Sequence, residues 1–307
     1  MIDVGKLRLL RELAQRQTMS AVADAVCITA SAVSQQLSNL EDEVGVSLIE
    51  RYGRGVRLTP AGRMLVEHAD RVFAVLEEAG SDLLKIRGTL SGTVKIAAFS
   101  SIAVSLMPSV IADLTARFPS LSIQLHDFEP AEALAALRSW HIDIALIDDM
   151  FALPARDANT VDRQFLFTDE LYAVLPADHR LNCADAVNLT DLSNEHWALN
   201  AHTSAYYQAI ASACRKAGFE PTVNSSCRNV EVTLAMVASG CSVSILPRSL
   251  TYRRLGDICV KQLNPPMTRR VDAAVRHGSG GSPAISAVLD ALRLESEKTH
   301  GRRSVDL

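Results

Sequence analysis

Apolar residues near the start of the chain follow helical periods. Leu7, Leu10, Leu13 and Ala14 recur at the three-to-four residue interval of a helix that buries one face. A second helix is expected from Ser20, with Ala21, Val22, Ala25 and Val26 as its apolar positions. Its small run Ser20-Ala21-Val22-Ala23 lets another helix approach closely. Cys27-Ile28-Thr29 reads as a sharp turn, and the Thr29 hydroxyl suits the N-cap of a third helix, where it satisfies a free amide. In that helix Val33, Leu37 and Leu40 point inward, which leaves Ser31, Ser34, Gln35 and Ser38 on the outer face. Short hydroxyl and amide side chains of this kind can enter a major groove and bond to base edges or phosphates. Periodicity alone fits a three-helix core with a solvated polar face equally well.

The next segment tips the balance. Arg51, Arg54, Arg57 and Arg63 fall in a stretch with no acidic residue, interrupted by Gly53 and Gly55, which read as a tight turn between short strands. A cationic hairpin directly after such a helix is placed to track a phosphate backbone. Residues 1–59 are therefore expected to form a winged helix-turn-helix that grips duplex DNA through Thr29, Ser31, Ser34, Gln35, Ser38, Arg51, Arg54 and Arg57.

Thr59 then caps, and Pro60 starts, a long helix, at a position where a missing amide hydrogen costs nothing. Leu65, Ala69, Val72, Leu76, Ala79, Leu83 and Ile86 alternate spacings of four and three, a heptad seam fit to zip against a second copy. Residues 60–88 are expected to link two domains and dimerise the protein. The competing use of the seam is packing onto the chain's own C-terminal domain.

After Gly88-Thr89-Leu90-Ser91-Gly92 the pattern becomes apolar strands alternating with amphipathic helices, as in an α/β domain with largely parallel sheets. Strands are predicted at 94–99, 122–126 and 142–147, with helices at 102–117 and 131–139. A second unit begins near Phe165, with strands at 171–176 and 243–247, the segment Trp197-Ala198-Leu199, and helices at 206–217 and 231–239. A last strand at 271–275 and helix at 282–294 return to the first unit. The fold class is thus α+β multidomain, with a two-lobed α/β domain over 89–298. Its first lobe covers about 92–164 and 268–298, its second about 165–267. From Glu295 to Leu307 the chain is polar and charged, and a disordered tail is expected, set at 299–307 in the domain division.

In open α/β sheets ligands sit beyond the carboxyl ends of strands, where helix N-termini offer free amides. That rule selects Ser100 and Ser101 after the first strand, His202, Thr203 and Ser204 before the first helix of the second lobe, and Asn229 before the next. Simple helix capping accounts for each hydroxyl taken singly. Asp148 and Asp149, ending a strand of the first lobe, either hold an ammonium group or are solvated loop carboxylates. In the first case an amino acid fits the cleft better than a plain organic acid.

The net charge of −4 over 307 residues averages away the local Arg51–Arg63 cluster. Six scattered cysteines (Cys27, Cys183, Cys214, Cys227, Cys241, Cys259) show neither Cys-x-x-Cys nor zinc spacing and suit a reducing cytosol. No uncharged run reaches the ~20 residues that cross a bilayer, so a cytoplasmic protein without a membrane association is expected. Ser100 or Ser101 with His202 is the only tempting catalytic set, and no Gly-x-Ser-x-Gly elbow surrounds either serine. No catalytic residue, metal or cofactor is expected.

Several stretches resemble the LysR-type transcriptional regulators: Ser20-Ala21-Val22-Ala23-Asp24-Ala25-Val26, Ser31-Ala32-Val33-Ser34-Gln35-Gln36-Leu37-Ser38-Asn39-Leu40-Glu41, Leu48-Ile49-Glu50-Arg51 and Leu58-Thr59-Pro60-Ala61-Gly62. Many members carry Arg or Gln at the position of Gln35. Where they carry Gln-Pro this chain has Ala30-Ser31, which leaves less side chain for base readout. The resemblance implies an antiparallel pairing of the linker helix, a homodimer or tetramer on promoter DNA, and a C-terminal domain of the type 2 periplasmic-binding-protein fold. It further implies a small-molecule effector at the cleft positions named above, a carboxylate or amino acid, and contact with RNA polymerase if the protein is an activator. Peroxide-responsive relatives carry a reactive Cys after the helix-heading His; Thr203 follows His202 here, which leaves Cys214 no attacking thiol to resolve.

Overall fold

The structure is a computed structural model that describes residues 2–26, 28–52, 55–86, 90–152, 160–247, 250 and 257–301. Contacts divide the chain into two compact units, Met1–Leu83 and Leu84–Leu307. In the first, α1 (Val4–Arg16), α2 (Met19–Val26) and α3 (Ala30–Val44) pack around Leu10, Leu13, Val22, Val33, Leu37 and Leu40. Each start is capped by a side chain: Asp3 accepts from Lys6 N, Thr18 from Ala21 N and Thr29 from Ala32 N. The third helix ends at Gly45, whose φ of 71° is a left-handed C-cap conformation that favours glycine.

The expected hairpin follows, with β1 (Ile49–Tyr52) antiparallel to β2 (Gly55–Leu58). Glu41 ties it to α3, one carboxylate oxygen accepting from Leu48 N at 2.7 Å and from Ile49 N at 3.0 Å. The long helix α4 (Pro60–Ile86) is capped by Thr59, whose hydroxyl oxygen accepts from Gly62 N and whose hydrogen goes to Ser47 O. Gly62 is required by space: a Cβ there would lie 2.1 Å from Leu48 O.

The second unit is built on one seven-stranded sheet. Its first lobe holds β3 (Gly92–Ala98), β4 (Leu121–Asp127) and β5 (Ile144–Asp148), all parallel, with α6 (Met107–Arg117), α7 (Pro130–Arg138) and α10 (Pro283–Gly301) covering them. Two long strands, β6 (Val161–Pro176) and β11 (Ile258–Arg276), run antiparallel to one another through both lobes. In the second lobe they are joined by β10 (Ser244–Pro247), antiparallel to β6, and by the short β7 (Ala186–Asn188). A parallel pair, β8 (His196–Leu199) and β9 (Thr222–Ser226), carries α8 (Ala205–Lys216) and α9 (Val230–Ala238). Separate apolar cores fill the two faces of each lobe.

The structure departs from the sequence reading in three places. The sheet is mixed rather than largely parallel, because each crossing strand serves both lobes and the two run in opposite directions. The helix expected over 102–117 is broken at Leu106 into α5 (Ser100–Ser105) and α6, whose first turn holds Pro108. Lacking an N–H, that proline cannot continue the ladder of the preceding turn. The polar stretch from Glu295 is helical as far as Gly301 rather than disordered, since Ser296 is fully buried and donates its hydroxyl to Arg293 O at 2.8 Å. The remaining tail, 302–307, lies outside the described residues. Among the described residues no helix is long and apolar enough to cross a membrane.

Candidate functional site

On α3 the inward positions Val33, Leu37 and Leu40 are buried, and the same helical period leaves Thr29, Ser31, Ser34, Gln35 and Ser38 together on an exposed face. Thr29 Oγ1 and Ser31 Oγ share a hydrogen bond at 3.0 Å. Gln35 donates one amide hydrogen to Asn39 Oδ1 at 2.9 Å, a bond that fixes its direction along the helix. A glutamine held this way retains a carbonyl and a further N–H, the complement of an adenine edge.

The wing is less uniformly cationic than its arginines suggest. Arg57 stands opposite Glu50 in the hairpin, and its Nε donates to Glu50 Oε1 at 2.7 Å. Arg63, at the start of α4, donates to Leu58 O. Arg51 is placed on β1 by its backbone, whereas Arg54 lies outside the described residues.

The heptad seam on α4 splits between two environments. Ala69 is fully buried and Leu65 half-buried in the core of the helix-turn-helix unit, where Arg11 pairs with Asp70 at 3.2 Å. Val72, Leu76 and Ala79 are exposed, at 40% and 51% for the first two. Leu83 and Ile86 lie on the helix by backbone, with side chains outside the described set.

The second unit has an open cleft between its lobes. Ser100, Ser101, Glu129 and Asp148 line it from the first lobe, Asn200, Tyr206, Arg228 and Leu246 from the second, and Arg269 from the crossing strand β11. Arg269 is 2% exposed and its hydrogen-bonding capacity is largely consumed. Its Nε and Nη2 donate to Asp169 Oδ2 at 3.1 and 2.7 Å, and Nη2 also donates to Ser101 Oγ at 2.7 Å. Asp148 Oδ2 is 3.6 Å from Nη1, and the rings of Phe99 and Tyr206 flank the guanidinium. The Tyr206 hydroxyl, donating to Ile245 O at 3.0 Å, has its pKa pushed up by burial.

The acids of the cleft are short of positive partners. Burial raises the pKa of Asp148 despite the opposing pull of Arg269 and of the backbone N–H groups of Phe151 and Met150. Glu129, which lines the cleft and forms a capping box with Glu132 at the start of α7, has its pKa raised by lost hydration and by the charges of Asp148 and Asp127. Ser100 donates to Asp127 at 3.2 Å.

Of the expected ligand residues, the cleft gathers Ser100, Ser101 and Asp148. Ser204 and Asn229 are next in sequence to lining residues, Ala205 for the first and Arg228 and Val230 for the second, whereas His202 and Thr203 are each two residues from the lining positions Asn200 and Ala205. Ser204 caps α8 by accepting from Tyr207 N, and Asn229 caps α9 by accepting from Glu231 N. His202 packs edge-on to Tyr207 at 4.3 Å, and Thr203 is exposed. Asp149 accepts from Arg270 N at 2.8 Å, a bond that holds the crossing strand. Arg269, Asp169, Glu129 and Tyr206 were not foreseen. The signal for the first two was present: Asp169 is in phase with Phe167 and Leu171, and Arg269 with Val271 and Ala273, so both charges fall on the buried side of their strands. Burial pushes the Cys214 thiol up to about 11, which keeps it protonated at neutral pH.

A chain with a helix-turn-helix unit and a separate two-lobed cleft has the construction of a ligand-responsive DNA-binding regulator. Comparison with known families is specific. The family described as "LysR substrate binding domain" matches residues 87–296, and "Bacterial regulatory helix-turn-helix protein, lysR family" matches residues 4–63. The chain belongs to the LysR family of transcriptional regulators, with an effector-binding C-terminal domain. Among curated relatives, the transcriptional dual regulator GltC of Bacillus subtilis is 29% identical over 248 residues, 81% of each chain. A full-length OxyR variant from Pseudomonas aeruginosa superposes with a TM-score of 0.74 at 27% identity, covering 96% of this chain and 98% of that one. CbnR, solved with its target DNA, shares the fold at a TM-score of 0.62 and 18% identity over 95% of this chain and 99% of that one.

Proposed function

We propose that this regulator reads promoter DNA with Thr29, Ser31, Ser34, Gln35 and Ser38 of α3, while Arg51, Arg54 and Arg57 hold the phosphates on either side. Two copies paired through the exposed Val72, Leu76 and Ala79 of α4 present two such faces to a pseudo-palindromic site. A small molecule between the lobes binds one arrangement better than the other and so shifts how the copies meet. Where the outcome is activation, RNA polymerase is the further partner.

The observation that carries this reading is the division of labour within one chain. An exposed polar helix face sits in one compact unit, and a cleft lined by buried charged groups sits in the other. Two variants test the division. Gln35→Ala should lower the preference for the native promoter in a footprint without changing ligand binding. Ser100→Trp, which fills the cleft, should leave the footprint and remove the response to ligand in a reporter strain. A Ser100→Trp protein that still responds would place the effector elsewhere.

A further inference from the structure

Arg269 is the only guanidinium buried in the cleft among the described residues, and three of its five N–H donors are already engaged within the protein. Its Nε and Nη2 are spent on Asp169 and Ser101, its Nη1 faces Asp148, and its faces are covered by aromatic rings. Against that one positive charge stand Asp169, Asp148 and Glu129. The Asp148 side chain is 6% exposed; the backbone N–H groups of Phe151 and Met150 face its carboxylate, but its cationic neighbour Arg269 Nη1 stands 3.6 Å away, beyond hydrogen-bonding reach, and Oδ1 makes no close hydrogen bond. On the other lobe Arg228 lines the same cleft, is exposed, and makes no ion pair among the described residues.

We propose that the cleft takes a zwitterion of the α-amino acid type, its ammonium held in the first lobe by Asp148 and by the Glu129 carboxylate oxygen that the capping box at the start of α7 leaves over, and its carboxylate turned to Arg228 of the second. This rests on the reading of the cleft as the effector site. A plain carboxylate would add a further negative charge to three carboxylates, and a plain amine would leave Arg228 unmatched. Because the two charged ends are met by different lobes, only the closed arrangement satisfies both, which is the differential affinity that a ligand needs to shift a conformational equilibrium.

The test is calorimetry and thermal shift on the full-length protein with the twenty L-amino acids, and with acetate, succinate and benzoate as plain carboxylates. The expected result is binding by at least one amino acid, weakened about a hundredfold by N-acetylation and at least about tenfold by Asp148→Asn or by Glu129→Gln. Glu129 is exposed, so its variant tests the idea even if Asp148→Asn folds poorly. Silence across the amino acids, or amino acid binding unmoved by both variants, overturns the proposal. Binding of a plain carboxylate alone also overturns it; if Ser100→Trp then abolishes that binding the cleft stands as the effector site, and if Ser100→Trp spares it the cleft reading falls as well.

Discussion

Arg269 and Asp169 face one another directly across the ladder of β11 and β6, with Nη2 2.7 Å from Oδ2 and both side chains at most 3% exposed. The pair sits where the two crossing strands pass between the lobes, and Arg269 lines the cleft there. Ser101 at the start of α5 is bonded to the same guanidinium, which ties a cleft-lining helix of the first lobe to the crossing strand β11.

Removing the arginine would leave two buried carboxylates without a counter-ion. Arg269→Ala is expected to destabilise the C-terminal unit by about 3–5 kcal/mol. Arg269→Lys should lose less, since it keeps the charge but not the forked donors. Urea unfolding followed by Trp197 fluorescence measures this, and near-wild-type stability of Arg269→Ala would contradict the account.

On the DNA side, base readout and phosphate contact should separate experimentally. Gln35→Ala is expected to reduce discrimination against a mismatched site by about 1–3 kcal/mol. Arg54→Ala should weaken binding to every sequence and lower the salt slope by about 1. Glu50→Gln should act in the opposite sense, because it removes a negative charge from the wing and weakens the hold on Arg57. Fluorescence anisotropy at several salt concentrations distinguishes the three; an unchanged slope for Arg54→Ala would remove the wing from the interface.

Stability should carry a pH signature from Asp148. A carboxyl whose native pKa is raised binds its proton more tightly in the fold, so its contribution is full below the unfolded value of about 4 and is lost as pH rises through the raised one. Asp148→Asn lacks this loss. The melting temperature of the variant relative to wild type should therefore climb as pH rises from about 4 and then level off. A difference that is constant over the same range would contradict the assignment.

Association should depend on the outer part of the α4 seam. Leu76→Lys puts a charge in the exposed stripe without touching the core of the helix-turn-helix unit, and is expected to weaken dimerisation by at least about 2 kcal/mol, the hydrophobic contribution of a buried leucine. Sedimentation at micromolar concentration should then show monomer. An unaltered dimer would assign the contact to another surface.

Much of this was legible in the sequence because the helix-turn-helix unit is organised by local signals. The caps Thr29 and Thr59, the 3.6-residue period of Val33, Leu37 and Leu40, and the glycine-bearing hairpin each act within a few residues. The Glu50–Arg57 pair was not foreseen, since it follows from the hairpin register rather than from composition. The cleft was legible only by rule. Strand ends pointed to Ser100, Ser101 and Asp148, but the central Arg269 is brought to them across more than a hundred residues by the crossing strands. Ser204 and Asn229 show the limit of the rule: a side chain that caps its own helix cannot also offer that oxygen to a ligand's cation without giving up the cap.

The most direct test of the central claim is the electrophoretic mobility of the purified protein on the DNA immediately upstream of its own gene, beside a scrambled fragment of equal length and composition. The account predicts retention of the native fragment at a protein concentration at least about a hundredfold lower than the scrambled one. Equal, weak retention of both would contradict a promoter-reading role at that site.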